Sequence, residues 1–181
     1  MKKLLLFCLV VLLVAFSTPS QAVRPFIIEE SGSFVSQGTS IDTNSDGRNA
    51  DLVITHGKGQ GFAQTSTQSV VEWGAFGAPF EPTCNTGSFE SPLVKGSSVI
   101  RTVKGLVFAT FDEGQGTNCF DPNTNTAAIS LVGKITGGTG FYEGALGDIE
   151  VTGTVFAVLF TNSDAQFGGV ELKARVTWTN H

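Results

Sequence analysis

Six glycines fall within residues 133–147 of the chain, and they constrain its fold more than any other feature. Glycine reaches positive φ at no steric cost, so such a run marks tight turns or a close approach of backbone to backbone. Directly after it, Asp148, Glu150 and Thr152 alternate with Ile149 and Val151. That is the period of a strand with one face buried. The stretch reads as a strand, a glycine turn, a short aromatic strand at Phe141-Tyr142, a second turn and another strand.

The rest of the chain carries the same signals. Val170, Leu172, Ala174, Val176 and Trp178 alternate with Glu171, Lys173, Arg175, Thr177 and Thr179. Residues 155–160 are apolar throughout, as in a strand buried on both faces. Residues 97–103 and 106–111 read as a hairpin around Lys104-Gly105. Further strands are expected at 24–30, ending at Ser31-Gly32-Ser33, and at 51–56, with Leu52, Ile54 and His56 on one face. More follow at 62–67, 68–73 and 126–135. Residues 57–61 read as a glycine turn or bulge, and 74–95 and 112–125 as long loops. No long helical period occurs, so the domain is all-β. Such a chain must close into a barrel or stack two sheets, because open edges invite aggregation. Periodicity alone does not choose between them.

A resemblance does. Thr136-Gly137-Gly138-Thr139-Gly140-Phe141-Tyr142-Glu143-Gly144-Ala145-Leu146-Gly147, with the alternating strand after it, resembles the signature of allene oxide cyclase and its barrel relatives, including dirigent-like proteins. Gly137, Gly138, Gly140, Gly144 and Gly147 carry the match. The resemblance implies a closed antiparallel β-barrel of about eight strands, whose interior is either filled by side chains or holds one small ligand. Fifteen phenylalanines suit either use, and packed core is the commoner one. In allene oxide cyclases a first-strand carboxylate within an E-x-N pattern steers ring closure. Here the chain reads Phe26-Ile27-Ile28-Glu29-Glu30-Ser31. No Asn stands two places after either Glu, so the catalytic role does not carry over. Glu29 and Glu30 remain the only carboxylates at that position.

Residues 1–22 read as an export signal. Lys2 and Lys3 precede an apolar run over 4–16 that is short for a membrane span, and Ser20-Gln21-Ala22 is a small-x-small cleavage site. Residues 23–181 would form the single mature domain. Removing Lys2 and Lys3 from 11 basic residues leaves 9 against 16 acidic ones, a net charge of −7. That sign disfavours nucleic acid and anionic membrane surfaces. No second membrane-span candidate appears. Export to a periplasm or to the outside meets an oxidising compartment, so Cys84 and Cys119 are expected to form a disulfide stapling two loops at one barrel end. The closed loop of about 36 residues would contribute roughly 3–4 kcal/mol.

Residues 42–51, Asp42-Thr43-Asn44-Ser45-Asp46-Gly47-Arg48-Asn49-Ala50-Asp51, are the sharpest candidate for chemistry. Oxygen ligands at positions 1, 3 and 5 with Gly at 6 open a calcium loop. Position 12, however, is Val53 where an EF-hand needs a bidentate Glu, and no helix flanks the loop. Asp51, at position 10, is the available substitute. Asp, Asn and Gly are equally the residues of an ordinary turn. Calcium is thus the one cofactor suggested, through Asp42, Asn44, Asp46 and Asp51. His56 is the only internal histidine, which rules out a zinc site built on several histidines. No G-x-S-x-G nucleophile elbow occurs. The Gly138-x-Gly140 spacing does not fit a dinucleotide loop, and no helix follows it.

Three functions remain. The favoured one is a non-enzymatic exported barrel that binds a small apolar ligand or another extracellular surface. The second is a cofactor-free cyclase or isomerase that confines an apolar unsaturated substrate. The third is a dirigent-like protein that holds radical intermediates while another agent oxidises them. An open interior with inward polar groups favours the second or third, and a phenylalanine-filled barrel favours the first. The resemblance allows an oligomer, as in related plant enzymes, although no interface is legible.

Overall fold

A computed structural model describes residues 26–58, 64–77, 84–85, 87–160 and 165–179, except for the side chains of 157–160, 165 and 179. The expected export segment 1–22 and most of the expected glycine turn at 57–61 lie outside the described residues. The chain forms nine strands: β1 (Phe26–Gly38), β2 (Asp51–Lys58), β3 (Gln64–Trp73), β4 (Phe89–Thr102), β5 (Gly105–Phe111), β6 (Gly116–Asp121), β7 (Thr126–Gly138), β8 (Leu146–Phe160) and β9 (Ala165–Thr179). The one described helical element is a 3-10 turn at Gly140–Tyr142.

Each strand pairs antiparallel with its neighbours, and β1 meets both β2 and β9. The ring runs β1-β2-β3-β4-β5-β7-β8-β9 and returns to β1. β5 and β6 share the place between β4 and β7. β5 pairs with residues 96–102 of β4, and β6 with 89–92. Across the break, the Gly114 N–H donates to the Leu93 carbonyl at 3.0 Å and the Val132 N–H to the Gln115 carbonyl at 2.7 Å. The fold is therefore a closed eight-strand antiparallel barrel, which leaves the sheet no free edge.

Closure sorts each strand into an inner and an outer face. Ile28, Glu30, Phe34 and Ser36 of β1 are buried, whereas Ile27, Glu29 and Val35 are exposed. On β9, Val170, Ala174 and Val176 are buried as the alternation predicts. The shared face of Leu52, Ile54 and His56 is the outer one, so His56 is exposed. The inner face of β2 carries Asp51, Val53 and Thr55.

The glycine-rich segment closes one end. Phe141-Tyr142 lies in the 3-10 turn, not in a strand, because glycines on both sides leave too short a run to pair. The turn backs onto the β4–β5 hairpin: the Thr139 N–H donates to the Leu106 carbonyl at 2.9 Å and the Phe141 N–H to the Lys104 carbonyl at 3.0 Å. Gly140 sits at φ 62°, and a Cβ there would lie 2.6 Å from the Lys104 carbonyl oxygen, so no larger residue fits. The turn drives Tyr142 into the barrel end, where it is 4% exposed. Its ring stacks on Phe26 at 5.5 Å and meets Trp178 edge-on at 5.5 Å.

The opposite end carries the disulfide. Cys84 and Cys119 are bonded with Cα atoms 5.5 Å apart, tying the connection before β4 to the sheet. Cys119 lies within β6, paired with Glu90 and Ala128, and not in a loop as expected. The disulfide fits an oxidising compartment. Among the described residues no helix is long and apolar enough to cross a membrane.

Candidate functional site

The barrel interior is not filled by phenylalanine. A chamber of about 110 Å³ lies in its middle, walled by Ile28, Val71, Ile100, Phe111, Leu131 and Ala174 among others. A second cavity of about 390 Å³ lies toward the disulfide end, where Phe34, Asp51, Phe76, Asn118, Phe120 and Val155 line it. Val53, Trp73 and Ile129 border both, so the two spaces meet there. The larger falls within the range of about 300–1,000 Å³ typical of small-molecule sites.

The walls of the inner chamber are apolar except for one polar group of side chains, whereas the larger cavity also carries Arg48, Asn49, Asp51 and Gln166. Glu30, Thr55, Thr67, Ser69 and Ser98 project inward from β1, β2, β3 and β4 and line the chamber. The Thr67 hydroxyl donates to Glu30 Oε2 at 3.1 Å, and the Ser69 and Ser98 hydroxyls bond each other at 2.6 Å. Glu30 and Thr55 are each 4% exposed. Glu30 Oε1 and Thr55 Oγ1 have no hydrogen-bond partner, nor does Asn118 Oδ1 on the wall of the larger cavity. A buried polar atom left unpaired costs about 1–3 kcal/mol. Three such atoms facing one connected space suit an occupant that brings its own polar groups.

The two candidate glutamates part company. Glu29 faces outward and pairs with Lys173 at 3.6 Å. Glu30 faces the chamber, because adjacent positions on a strand point to opposite sides.

Residues 39–50 fold over the outside of β3. The Gly47 and Asp46 N–H groups donate to Asp42 at 3.0 and 3.2 Å, and the Arg48 N–H to Asp46 Oδ1 at 2.8 Å. The Asn44 amide, then the Arg48 N–H, hold the Asp46 carboxyl below the usual carboxylate range. Asp51 does not join this group. It turns inward to the larger cavity, and burial pushes its carboxyl up. The residue that does join is Glu72 of β3, from outside the loop. One carboxylate oxygen each from Asp42, Asp46 and Glu72 lies within 4.8 Å of the other two.

A scan against protein-family models finds no match, and neither a search of curated proteins nor one of solved structures returns any.

Proposed function

We propose that the barrel is an exported, allene oxide cyclase-like container for one small, elongated apolar molecule bearing a hydroxyl group. The supporting observation is the pairing of an apolar inner chamber with unpartnered polar atoms at Glu30, Thr55 and Asn118. The apolar body of the ligand would enter at the disulfide end and lie between Trp73, Val53 and Ile129. Its polar group would meet Glu30 and Thr55 in the inner chamber. Burying apolar surface there is worth about 25 cal/mol per Å². Satisfying a stranded acceptor adds to that and selects against wholly apolar competitors.

A second reading, a cofactor-free cyclase or isomerase, is favoured by the inward placement of Glu30 beside Thr67. A carboxyl in an apolar chamber can move a proton or steer a developing charge. Orientation and exclusion of water would supply the rest of the rate.

One experiment separates the two. Long-chain unsaturated alcohols and phenols are titrated calorimetrically into the protein, and an unsaturated epoxide is then incubated with it and analysed by chiral chromatography. Saturable binding without turnover, weakened in Glu30→Gln, is the expected result. Enantioselective conversion lost in Glu30→Gln establishes the second reading. No saturable binding of any probe and no conversion removes both.

A further inference from the structure

We propose that Asp42, Asn44, Asp46 and Glu72 form a calcium site, with Glu72 of β3 as the acid that the 42–51 loop lacks in its own sequence. The loop brings three oxygen-bearing side chains to one side by curling at Ser45 (φ 62°) and Gly47 (φ 85°). A curled acidic turn alone is not a metal site. Glu72 is the independent observation. It lies on the outer face of β3, where a carboxylate belongs in solvent, yet it is 1% exposed beneath the loop.

Its two oxygens are used differently. Oε2 accepts from the Thr43 N–H at 2.7 Å and the Thr43 hydroxyl at 2.5 Å. Oε1 is buried with no partner. Removing a carboxylate from water without a counter-charge is strongly unfavourable. Neither ion pair among the described residues reaches Asp42, Asp46 or Glu72. Instead, the nearest acids are two more carboxylates within 4.8 Å. A cation between them, added to the charge that Arg48 already brings to Asp46, offsets that repulsion and takes a carboxylate oxygen of Glu72 as a ligand.

The donors are all oxygens: three carboxylates and the Asn44 amide. Calcium accepts such a set at about 2.3–2.6 Å, completed by backbone carbonyls and water, in a loosely defined geometry. Magnesium requires a near-ideal octahedron at about 2.0–2.1 Å and gives up its waters reluctantly. The two Thr43 bonds hold Glu72 Oε2 in place, much as a second shell orients a metal-binding carboxylate.

The test is a calcium chloride titration of metal-stripped protein, read by calorimetry and by melting temperature, with magnesium chloride run in parallel. Saturable calcium binding with a melting-temperature rise of roughly 5 °C at saturation is expected, since a ligand bound only by the native state stabilises it. Asp42→Asn and Asp46→Asn, both in the surface loop, should weaken binding at least tenfold. Glu72→Gln should abolish the rise, and Asp51→Asn should leave it intact. If Glu72→Gln does not fold, Glu72→Asp serves, because it keeps a carboxylate and withdraws it by one methylene. No calcium binding, an equal response to magnesium, or full affinity in the Glu72 variant that folds would each overturn the assignment.

Discussion

The two ends of this barrel are built on opposite plans. At the glycine-rich end, the 3-10 turn and the β4–β5 hairpin fold onto each other, and Phe26, Phe141, Tyr142 and Trp178 stack across the opening. The buried Tyr142 hydroxyl there lies 3.2 Å from the Thr102 hydroxyl. At the disulfide end, Trp73, Phe120 and Asn118 surround space, and one polar atom has no partner. The closed end is packed and satisfied, whereas the open end is hollow and keeps an unmet polar demand. The difference shows where stability and where binding are expected to reside.

Mutations at the two ends should therefore have different signatures. Tyr142→Ala removes the centre of the aromatic plug and should destabilise by about 3–5 kcal/mol, read from the denaturant midpoint. Ligand affinity measured well below that midpoint should change little. Loss of the Cys84–Cys119 bond in a double serine variant should cost about 2–4 kcal/mol. Because that staple holds β6, whose Asn118 and Phe120 line the larger cavity, its loss should also weaken binding, and equal affinity with and without the bond would blur the contrast between the ends. Ile129→Phe fills the junction of the two cavities. It should cost under about 3 kcal/mol in stability yet reduce affinity for a long ligand at least tenfold. The smallest effect concerns Asp51, whose carboxyl burial pushes up. A raised native value means that the charged form is disfavoured in the fold. The stability that the protonated group retains below its ordinary value of 3.8 is lost as pH rises through the raised one. Asp51→Asn should accordingly gain on the wild type as pH rises, seen as diverging melting curves from acid to neutral pH.

The closed end was also the more legible in sequence. Glycine spacing near residue 140 and the alternation at 170–178 both report local backbone demands, and local demands are written locally. Two strand segments are obscured by residues that usually break strands, and a third by the lack of an alternating pattern. β1 continues through Ser31-Gly32-Ser33, where a Cβ on Gly32 would lie 1.9 Å from the His56 carbonyl oxygen. There the glycine permits close strand approach and does not mark a turn. β4 contains Pro92, paired with Thr117. β6 shows no alternation of burial at all. The open end was harder still, since its properties depend on side chains far apart in sequence. Thr67 reaches Glu30 across 37 positions and Thr43 reaches Glu72 across 29. Strand parity alone separates Glu30 from Glu29, and it becomes decisive only once closure defines an inside.

The two tryptophans of the chain, Trp73 and Trp178, stand in the two contrasting regions and so report on them separately. The most direct measurement is a ligand titration followed by tryptophan emission in Trp178→Phe and in Trp73→Phe. Entry at the hollow end predicts a saturable change that survives in Trp178→Phe and disappears in Trp73→Phe. A saturable change that persists without Trp73, carried by Trp178 in the plug, would contradict the account.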